Sequence, residues 1–374
     1  MSVVSKGLEG IVAAETRLGE VKGAEGILFY CGYDINELAG KVSYEEVVHL
    51  LFYNRLPNQV ELDKLTTALR AERELPQGVI DFLQLAPKNA RPIDVMRTAV
   101  SMLGCYDMKR HDVEVGENLA TAIRLVSQIG VVAAYFHRAR QGLELPPVRK
   151  DLSEAAHFLY LMSGEVPSKE AEQTLDVAYV LHAEHGFNAS TFTARVVAST
   201  LSDMYSAISA GIGALKGPLH GGANEGVIHM LQEIGSLENV DSWVEDALAQ
   251  KKKIMGIGHR VYKVLDPRAP HLREMAIKLT SQLGEAKWIQ MSERIAEIMR
   301  ERKGLNANVD FYSATVYYSL DIPTDLFTPI FAIARMSGWT AHVLEQWSEN
   351  RLFRPLSEYV GRPYGQKVVP IAER

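Results

Sequence analysis

The sequence predicts a mainly α protein of two domains with a minor β element at its N-terminus. Three observations carry this. Apolar residues recur at helical spacing along most of the chain beyond residue 43, several of those helices read as apolar on nearly every face, and strand-like runs are confined to the first forty residues. At 374 residues the chain exceeds the size at which a single hydrophobic core usually stops growing, so two domains are the natural division.

Taken in order, GLEGIVAAETRLGEV and GILFYCGYDI read as short strands in hairpins, with turn signals at Lys22-Gly23 and Glu25-Gly26. Ser43 followed by Glu46 is a capping-box signature, and it opens a helix that runs to Tyr53. Prolines at 57, 76, 87 and 92 then punctuate a series of helices. Longer helical stretches follow at 116–142, 151–163, 168–185 and 190–215. From Ala194 to Leu215 the residues are mostly Ala, Ser, Gly and larger apolar types. Such a helix is buried on all sides and admits close neighbours, so it calls for a large domain or an oligomer interface around it. Between 222 and 321 the helices (239–253, 273–284, 287–304) are instead amphipathic and heavily charged. The expected division is a large helical domain from 1–221 and 322–374, and a smaller, more mobile one from 222–321.

Composition narrows the function classes. An apolar fraction of 47% with 23% charged residues is that of an ordinary globular protein and excludes disorder. A formal net charge of −6 gives the whole molecule no attraction for nucleic acid or anionic lipid. Cys31 and Cys105 are the two cysteines, with no CxxC, which excludes a disulfide framework and a Cys-based zinc site and suits a reducing cytosol. The opening MSVVSKGLEGIVAAETR has acidic residues where a signal peptide needs its apolar stretch, and no uninterrupted apolar run approaches the ~18 residues of a membrane span. A cytoplasmic location is expected.

Four short segments hold the polar residues that helix formation does not explain. In His182-Ala183-Glu184-His185-Gly186-Phe187-Asn188, two histidines at i, i+3 invite a metal, yet the spacing fits neither HExxH nor HxxEH. The H-x-E half of a zinc deaminase lacks its P-C-x-x-C half. The plain alternative is a helix C-terminus stabilised by an imidazolium. Next, Lys216-Gly217-Pro218-Leu219-His220-Gly221-Gly222-Ala223-Asn224-Glu225 places His220 on a tight turn that opens a helix. Positive potential there would keep the imidazole neutral, able to donate to a carbonyl oxygen as charge develops on it. The alternative is a turn histidine with a local partner.

The third segment, Met255-Gly256-Ile257-Gly258-His259-Arg260-Val261-Tyr262-Lys263 followed by Leu265-Asp266-Pro267-Arg268, is a basic Gly-rich loop preceded by Lys251, Lys252 and Lys253. It matches neither GxGxxG nor a Walker A sequence, so a dinucleotide or P-loop role is disfavoured, and a loop fitted to phosphates and carboxylates remains. For the three lysines alone, a solvated charge run suffices. In the fourth, Asn306-Ala307-Asn308-Val309-Asp310-Phe311-Tyr312-Ser313, Asp310 reads either as a helix N-cap or as a carboxylate that partial burial beside aromatics turns into a base.

Together and in order, GPLHGGANE, GIGHRVYK with DPR, NVDFYS, HAEHGFNAST, FAIARMSGWTAHVLEQ and the late Arg354-Pro355 resemble the citrate synthase family, over residues 8–364. The resemblance implies a helical homodimer that closes over a keto acid before a coenzyme A thioester reacts, giving citrate from acetyl-CoA and oxaloacetate. It implies that Asp310 abstracts the methyl proton, that His220 stabilises the enol or enolate, and that His259 polarises the keto carbonyl. His185, Arg268, Arg335 and Arg354 would bind the keto acid, with Arg354 supplied across the dimer interface. Met255, Gly256, Ile257, Gly258, Lys263 and Asn308 would contact the coenzyme A. No metal and no permanently bound cofactor is implied. Arg260 stands where several 2-methylcitrate synthases have proline (GHPVY), which inclines the reading to the acetyl substrate. A 2-methylcitrate synthase using propionyl-CoA is the near alternative. A non-catalytic scaffold that binds coenzyme A or carboxylates is the alternative of another class, and a metallo-hydrolase built on His182 and His185 is a third.

Overall fold

The protein is described by a computed structural model over residues 5–108, 115–259 and 261–374, with the side chains of 115–117 left aside. The N-terminal β element is a three-stranded antiparallel sheet, β1 Gly19–Lys22, β2 Ile27–Tyr30 and β3 Tyr33–Asp34, in that spatial order. β1 pairs with β2 from Gly19↔Tyr30 to Lys22↔Ile27 across the expected Gly23–Gly26 turn. The second hairpin turns on Cys31 and Gly32, both with positive φ (47° and 87°), the backbone a tight two-residue turn requires. The first predicted strand is mostly absent: residues 10–17 are irregular, and Ile11 and Val12 are exposed and pair with no strand among the described residues.

The remainder is helical. α1 (Ile35–Leu38) and α2 (Tyr44–Tyr53) open it, and α2 has the predicted capping box, Ser43 and Glu46 each accepting the other's backbone amide. There follow α3 (Gln59–Ala71), α4 (Gln77–Leu85), α5 (Pro92–Tyr106), α6 (Val115–Gln141), α7 (Glu154–Ser163) and α8 (Lys169–His182). The single helix expected over 190–215 is two, α9 (Ala189–Ser199) and α10 (Met204–Leu215). The break has a local cause: Leu201 takes a left-handed φ of 63°, and Asp203 accepts the Ser206 amide at 3.0 Å to cap α10. α11 (Ala223–Ile234), α12 (Val240–Ala249), α13 (Ala269–Leu283), α14 (Lys287–Lys303), α15 (Val309–Ser319) and α16 (Phe327–Ser348) complete the fold. Residues 350–370 carry no helix or strand and are almost wholly exposed.

α16 is the axis of one body, packed against α2, α5, α6, α8, α9 and α10. It is buried almost without interruption from Phe327 to Val343, as an all-round apolar helix must be. Residues Asn118–Gln141 of α6 have the length and hydropathy of a membrane span, yet 72% of the window is buried, and α6 packs on α5, α7 and α16. It is a core helix. A second group forms from α11–α15, with α15 meeting α11, α13 and α14, while α12 packs on α14. The two groups touch through α8 against α13 and α15, and through α11 against α16. The four polar segments singled out in the sequence adjoin α8, α11, α13 and α15, helices of this junction.

One buried ion pair ties the outer helices to this body. Arg73, fully buried just beyond α3, donates to Leu152 O at 3.0 Å and to Glu154 Oε1 at 2.6 Å, and also to Arg149 O. Burial pushes the Glu154 carboxyl up to about 7, against the pull of Arg73. Losing one partner of such a pair strands the other, so Arg73→Met should lower unfolding stability by about 3 kcal/mol, while Arg73→Met with Glu154→Leu should recover most of it. Urea unfolding midpoints at fixed protein concentration measure both.

Candidate active site

The keto-acid segment is the loop between α8 and α9. α8 ends at His182, and Asn188 caps α9 by accepting the Thr191 amide at 3.1 Å, leaving residues 183–187 irregular. His185 sits in that loop, half-buried, with Nε2 3.2 Å from Tyr262 Oη and its ring 5.7 Å from that of His259. Burial and the charge of Arg268 drive its pKa well down.

His220 lies on the turn between α10 and α11. Gly221 donates to Leu215 O at 2.9 Å, and a Cβ there would come within 2.7 Å of that same oxygen, so only glycine permits this close return. The Ser190 amide donates to His220 Nε2 at 3.3 Å, with Ser190 Oγ 2.8 Å away. Because Nε2 receives an N–H, the ring proton sits on Nδ1. Burial, with Arg335, lowers the pKa to about 4. The imidazole is neutral as expected, though burial and an arginine do the work ascribed to the helix terminus.

The third and fourth segments are bound to each other. Ile257 bridges Ala307, Gly258 donates to Asn306 O at 2.8 Å, and Asn308 donates from its backbone to Gly256 O and from Nδ2 to Gly258 O. Gly256 has φ 73°, and a Cβ would lie 2.9 Å from Phe311 Cα, so glycine is what lets the loop rest on α15. His259 Nδ1 accepts the Val261 and Tyr262 amides at 3.0 and 3.1 Å, which leaves its proton on Nε2. Its pKa too is lowered to about 4, by burial and then Arg268. Asp310 is not the N-cap. Asn308 is, accepting the Asp310 amide at 3.0 Å. The Asp310 carboxylate is thereby released from capping, and its Oδ1 is buried with no hydrogen-bond partner. Burial pushes its pKa up to about 6 against the pull of Arg268 and Arg335.

Two arginines sit beneath these groups. Arg268 is buried in a forked pair with Asp266, Nε to Oδ1 at 3.0 Å and Nη2 to Oδ2 at 2.8 Å, and lies over the Tyr262 ring. Arg335 is equally buried but held more loosely: Nε donates to His182 O at 2.5 Å, the guanidinium lies 4.9 Å from the Phe331 ring centre, and Nη1 has no partner. Burial lowers it to about 10, with Glu184 opposing the shift.

His185, His220, His259, Arg268, Arg335 and Asp310 thus gather in one electrostatically coupled cluster. Arg354 does not join it within the chain: it is exposed on the C-terminal segment, donating to Pro355 O at 3.0 Å. Of the residues expected to meet coenzyme A, Met255 and Gly258 are half-buried, Gly256 and Ile257 are buried, and Lys263 is exposed. The Asn308 side chain is engaged at both ends inside the protein. Arg260 lies outside the described residues. The imidazolium reading of His182 is overturned: the ring is fully buried, its pKa is lowered to about 3 by burial and Arg268, and Nδ1 donates to Ala178 O at 2.7 Å. Among the described residues no three His, Cys, Asp or Glu side chains gather as a ligand set.

Sequence reasoning assigned no role to Ser190, Tyr262 or Asp266, which orient His220, His185 and Arg268 respectively. Each lies inside a quoted segment, and the Asp266/Arg268 spacing was the available signal. The assembled site offers two neutral imidazole donors, a carboxylate poised near neutrality, and two guanidinium groups. That suits enolisation beside a bound dicarboxylate.

The comparisons with known proteins agree with this chemistry. The family profile described as "Citrate synthase, C-terminal domain" matches residues 7–356. "Citrate synthase 2" of Bacillus subtilis is 50% identical over 371 residues, which is 99% of each chain. A "2-methylcitrate synthase" of Shewanella oneidensis is 42% identical over 98% of this chain and 97% of its own. Among solved structures, the citrate synthase of Thermoplasma acidophilum, in a ternary complex with carboxymethyl coenzyme A and oxaloacetate, superposes with a TM-score of 0.94 at 34% identity over 100% of both chains. Sequence, fold and site therefore agree that this chain belongs to the citrate synthase family.

Proposed function

We infer that the protein condenses acetyl-CoA with oxaloacetate and hydrolyses the resulting thioester, so that the two substrates and one water give citrate and free coenzyme A. The observation that carries this reading is the buried, unpartnered Asp310 Oδ1, which shares Arg268 and Arg335 as charged neighbours with the histidine cluster whose tautomers are fixed. Asp310 takes a proton from the thioester methyl group. His220 donates from Nδ1 to the thioester oxygen as the enolate forms, and its neutrality suits an oxyanion of similar basicity. The enolate carbon attacks the keto carbon, whose oxygen takes a hydrogen bond and then a proton from His259 Nε2. Arg335, through its open Nη1, and Arg268 bind the keto acid's carboxylates beside His185. Water then cleaves the thioester.

The residue ranges 1–221 with 322–374, and 222–321, are the two domains of this reading, with coenzyme A held along Met255–Gly258, Lys263 and Asn308 of the smaller one. Closure of one on the other would dry the site. The protein is a cytoplasmic homodimer.

Asp310 must be ionised to act as a base, and its pKa is raised to about 6, so kcat/KM should climb as pH rises through about 6 and be lost below it. His220 and His259, lowered to about 4, are already neutral there and add no second limb above pH 5. Asp310→Asn should cost about 10²- to 10⁴-fold in turnover with oxaloacetate binding kept, as read by thiol release and calorimetry. Full activity in that variant would remove Asp310 from the mechanism.

The acyl group is settled by the same thiol-release assay with oxaloacetate. Acetyl-CoA should exceed propionyl-CoA by about 10-fold in kcat/KM, since one methylene in an apolar pocket is worth ~1–3 kcal/mol. A preference for propionyl-CoA would make the protein a 2-methylcitrate synthase.

Arg354 is read as a gift from the partner subunit, because its own chain leaves it exposed on an extended tail. Inactive Arg354→Ala and His220→Ala variants, mixed by reversible dissociation, should regain activity at one of the two sites of the mixed dimer. Mixed dimers that form and stay inactive would return Arg354 to its own chain.

A further inference from the structure

Behind the loop that carries His185 lies a buried polar chain to which the condensation chemistry gives no role. Glu184 is fully buried, and its Oε1 accepts the Gly186 amide at 2.5 Å while facing His342 Nε2 at 3.0 Å. His342, on α16 and also fully buried, presents Nδ1 to Arg195 Nη1 at 3.0 Å. A guanidinium only donates, so Nδ1 is the acceptor and the imidazole proton sits on Nε2, aimed at Glu184. Arg195, on α9, is held in turn by Glu345 Oε2 at 2.6 Å and Gln346 Oε1 at 3.1 Å. Its cation lies 4.7 Å from the centre of the Phe187 ring, which also meets His342 edge-on at 5.5 Å.

The loop is therefore gripped on both sides of His185, at Glu184 itself and at Gly186 and Phe187. Helix stability does not ask for this arrangement, because apolar side chains of the same size would avoid the desolvation cost of three buried polar groups. A second observation points into the keto-acid site. Glu184 Oε2 and Arg335 Nη1 are both buried without partners. α16 comes so close here that a Cβ on Gly338 would lie 2.2 Å from Ala183 O and 2.9 Å from Glu184 Oε2. The carboxylate is wedged in place and its charge counterbalances the buried Arg335 cation.

We propose that Glu184, His342 and Arg195 are positioning residues for the keto-acid site, holding His185 and the Arg335 guanidinium ready for the dicarboxylate before it arrives. The proposal rests on His185 and Arg335 serving the keto acid. It concerns affinity for one substrate and not the other, which separates it from a contribution to folding alone.

His342 is the informative position. Glutamine can put an amide N–H where the imidazole has Nε2–H, asparagine reaches only the Nδ1 position, and leucine has neither. His342→Leu and His342→Asn should raise KM for oxaloacetate about 10-fold or more, with KM for acetyl-CoA within about 2-fold of the parent, because a misplaced ligand loses affinity only for what it holds. His342→Gln should come back to within about 3-fold of the parent for both substrates. Where leucine prevents folding, the Gln and Asn pair carries the comparison. An unchanged KM for oxaloacetate overturns the proposal. Equal rises in both Michaelis constants with a lowered Tm, or rescue by Asn as good as by Gln, also overturn it and leave the trio as a structural brace. Turnover of oxaloacetate by the parent reports on the family reaction, and the ratios between variants and parent report on the relay.

Discussion

Two guanidinium cations buried at the junction of two helical groups are the constraint on which the site depends. A cation removed from water must be answered by opposite charge or by hydrogen-bond acceptors. Arg268 is answered by the fork of Asp266, which takes its Nε and Nη2. Arg335 is answered by a backbone carbonyl, an aromatic face and the charge of Glu184, and one of its nitrogens remains open. The neighbours adjust to these charges. Three histidines are pushed toward neutrality by burial and by the arginines together, while burial outweighs the same arginines at Asp310 and leaves its carboxyl high. One electrostatic arrangement thus keeps the imidazoles neutral and holds the carboxyl near 6.

The helical body supplies the precision that this arrangement needs. Gly221, Gly256 and Gly338 are points where backbone passes too close for any side chain: Gly221 follows His220, Gly256 rests on Phe311 next to Asp310, and Gly338 faces Glu184. Between them the segments that carry His259 and Asp310 are joined by main-chain hydrogen bonds, Gly258 to Asn306 O and Asn308 to Gly256 O, which tie the two together despite their distance in sequence. Tautomers are assigned the same way, by backbone amides that can only donate.

Much of this was legible in the sequence, and the rest was hidden for definable reasons. The Ser43/Glu46 box and the Gly-rich segments around His220 and His259 are local signals, and local signals survive in a linear reading. The break at Leu201 was missed because the apolar run on either side is continuous and Asp203 looks like any surface aspartate. Asp310 was open to reading as a cap because an acidic residue at a helix start usually is one, whereas Asn308, two positions earlier, takes that role. The contact between Glu184 and His342 spans 158 residues, and nothing in either segment announces the other. Arg354 illustrates a different limit: it is exposed and donates to Pro355 O, so the contacts of its own chain say nothing about any role in a site.

The open nitrogen of Arg335 also bears on how long each molecule survives. A bound dicarboxylate would give that cation the partner it lacks, and so add to the stability of the folded protein. A dianion that binds only the folded form shifts the unfolding equilibrium by about 2.7 kcal/mol when present at a hundred times its Kd. Proteolytic quality control samples the unfolded fraction, so a scarcity of keto acid would shorten the protein's lifetime as well as slow its chemistry. Abundance of the enzyme and supply of its substrate would then be joined through binding alone, with no separate regulator required.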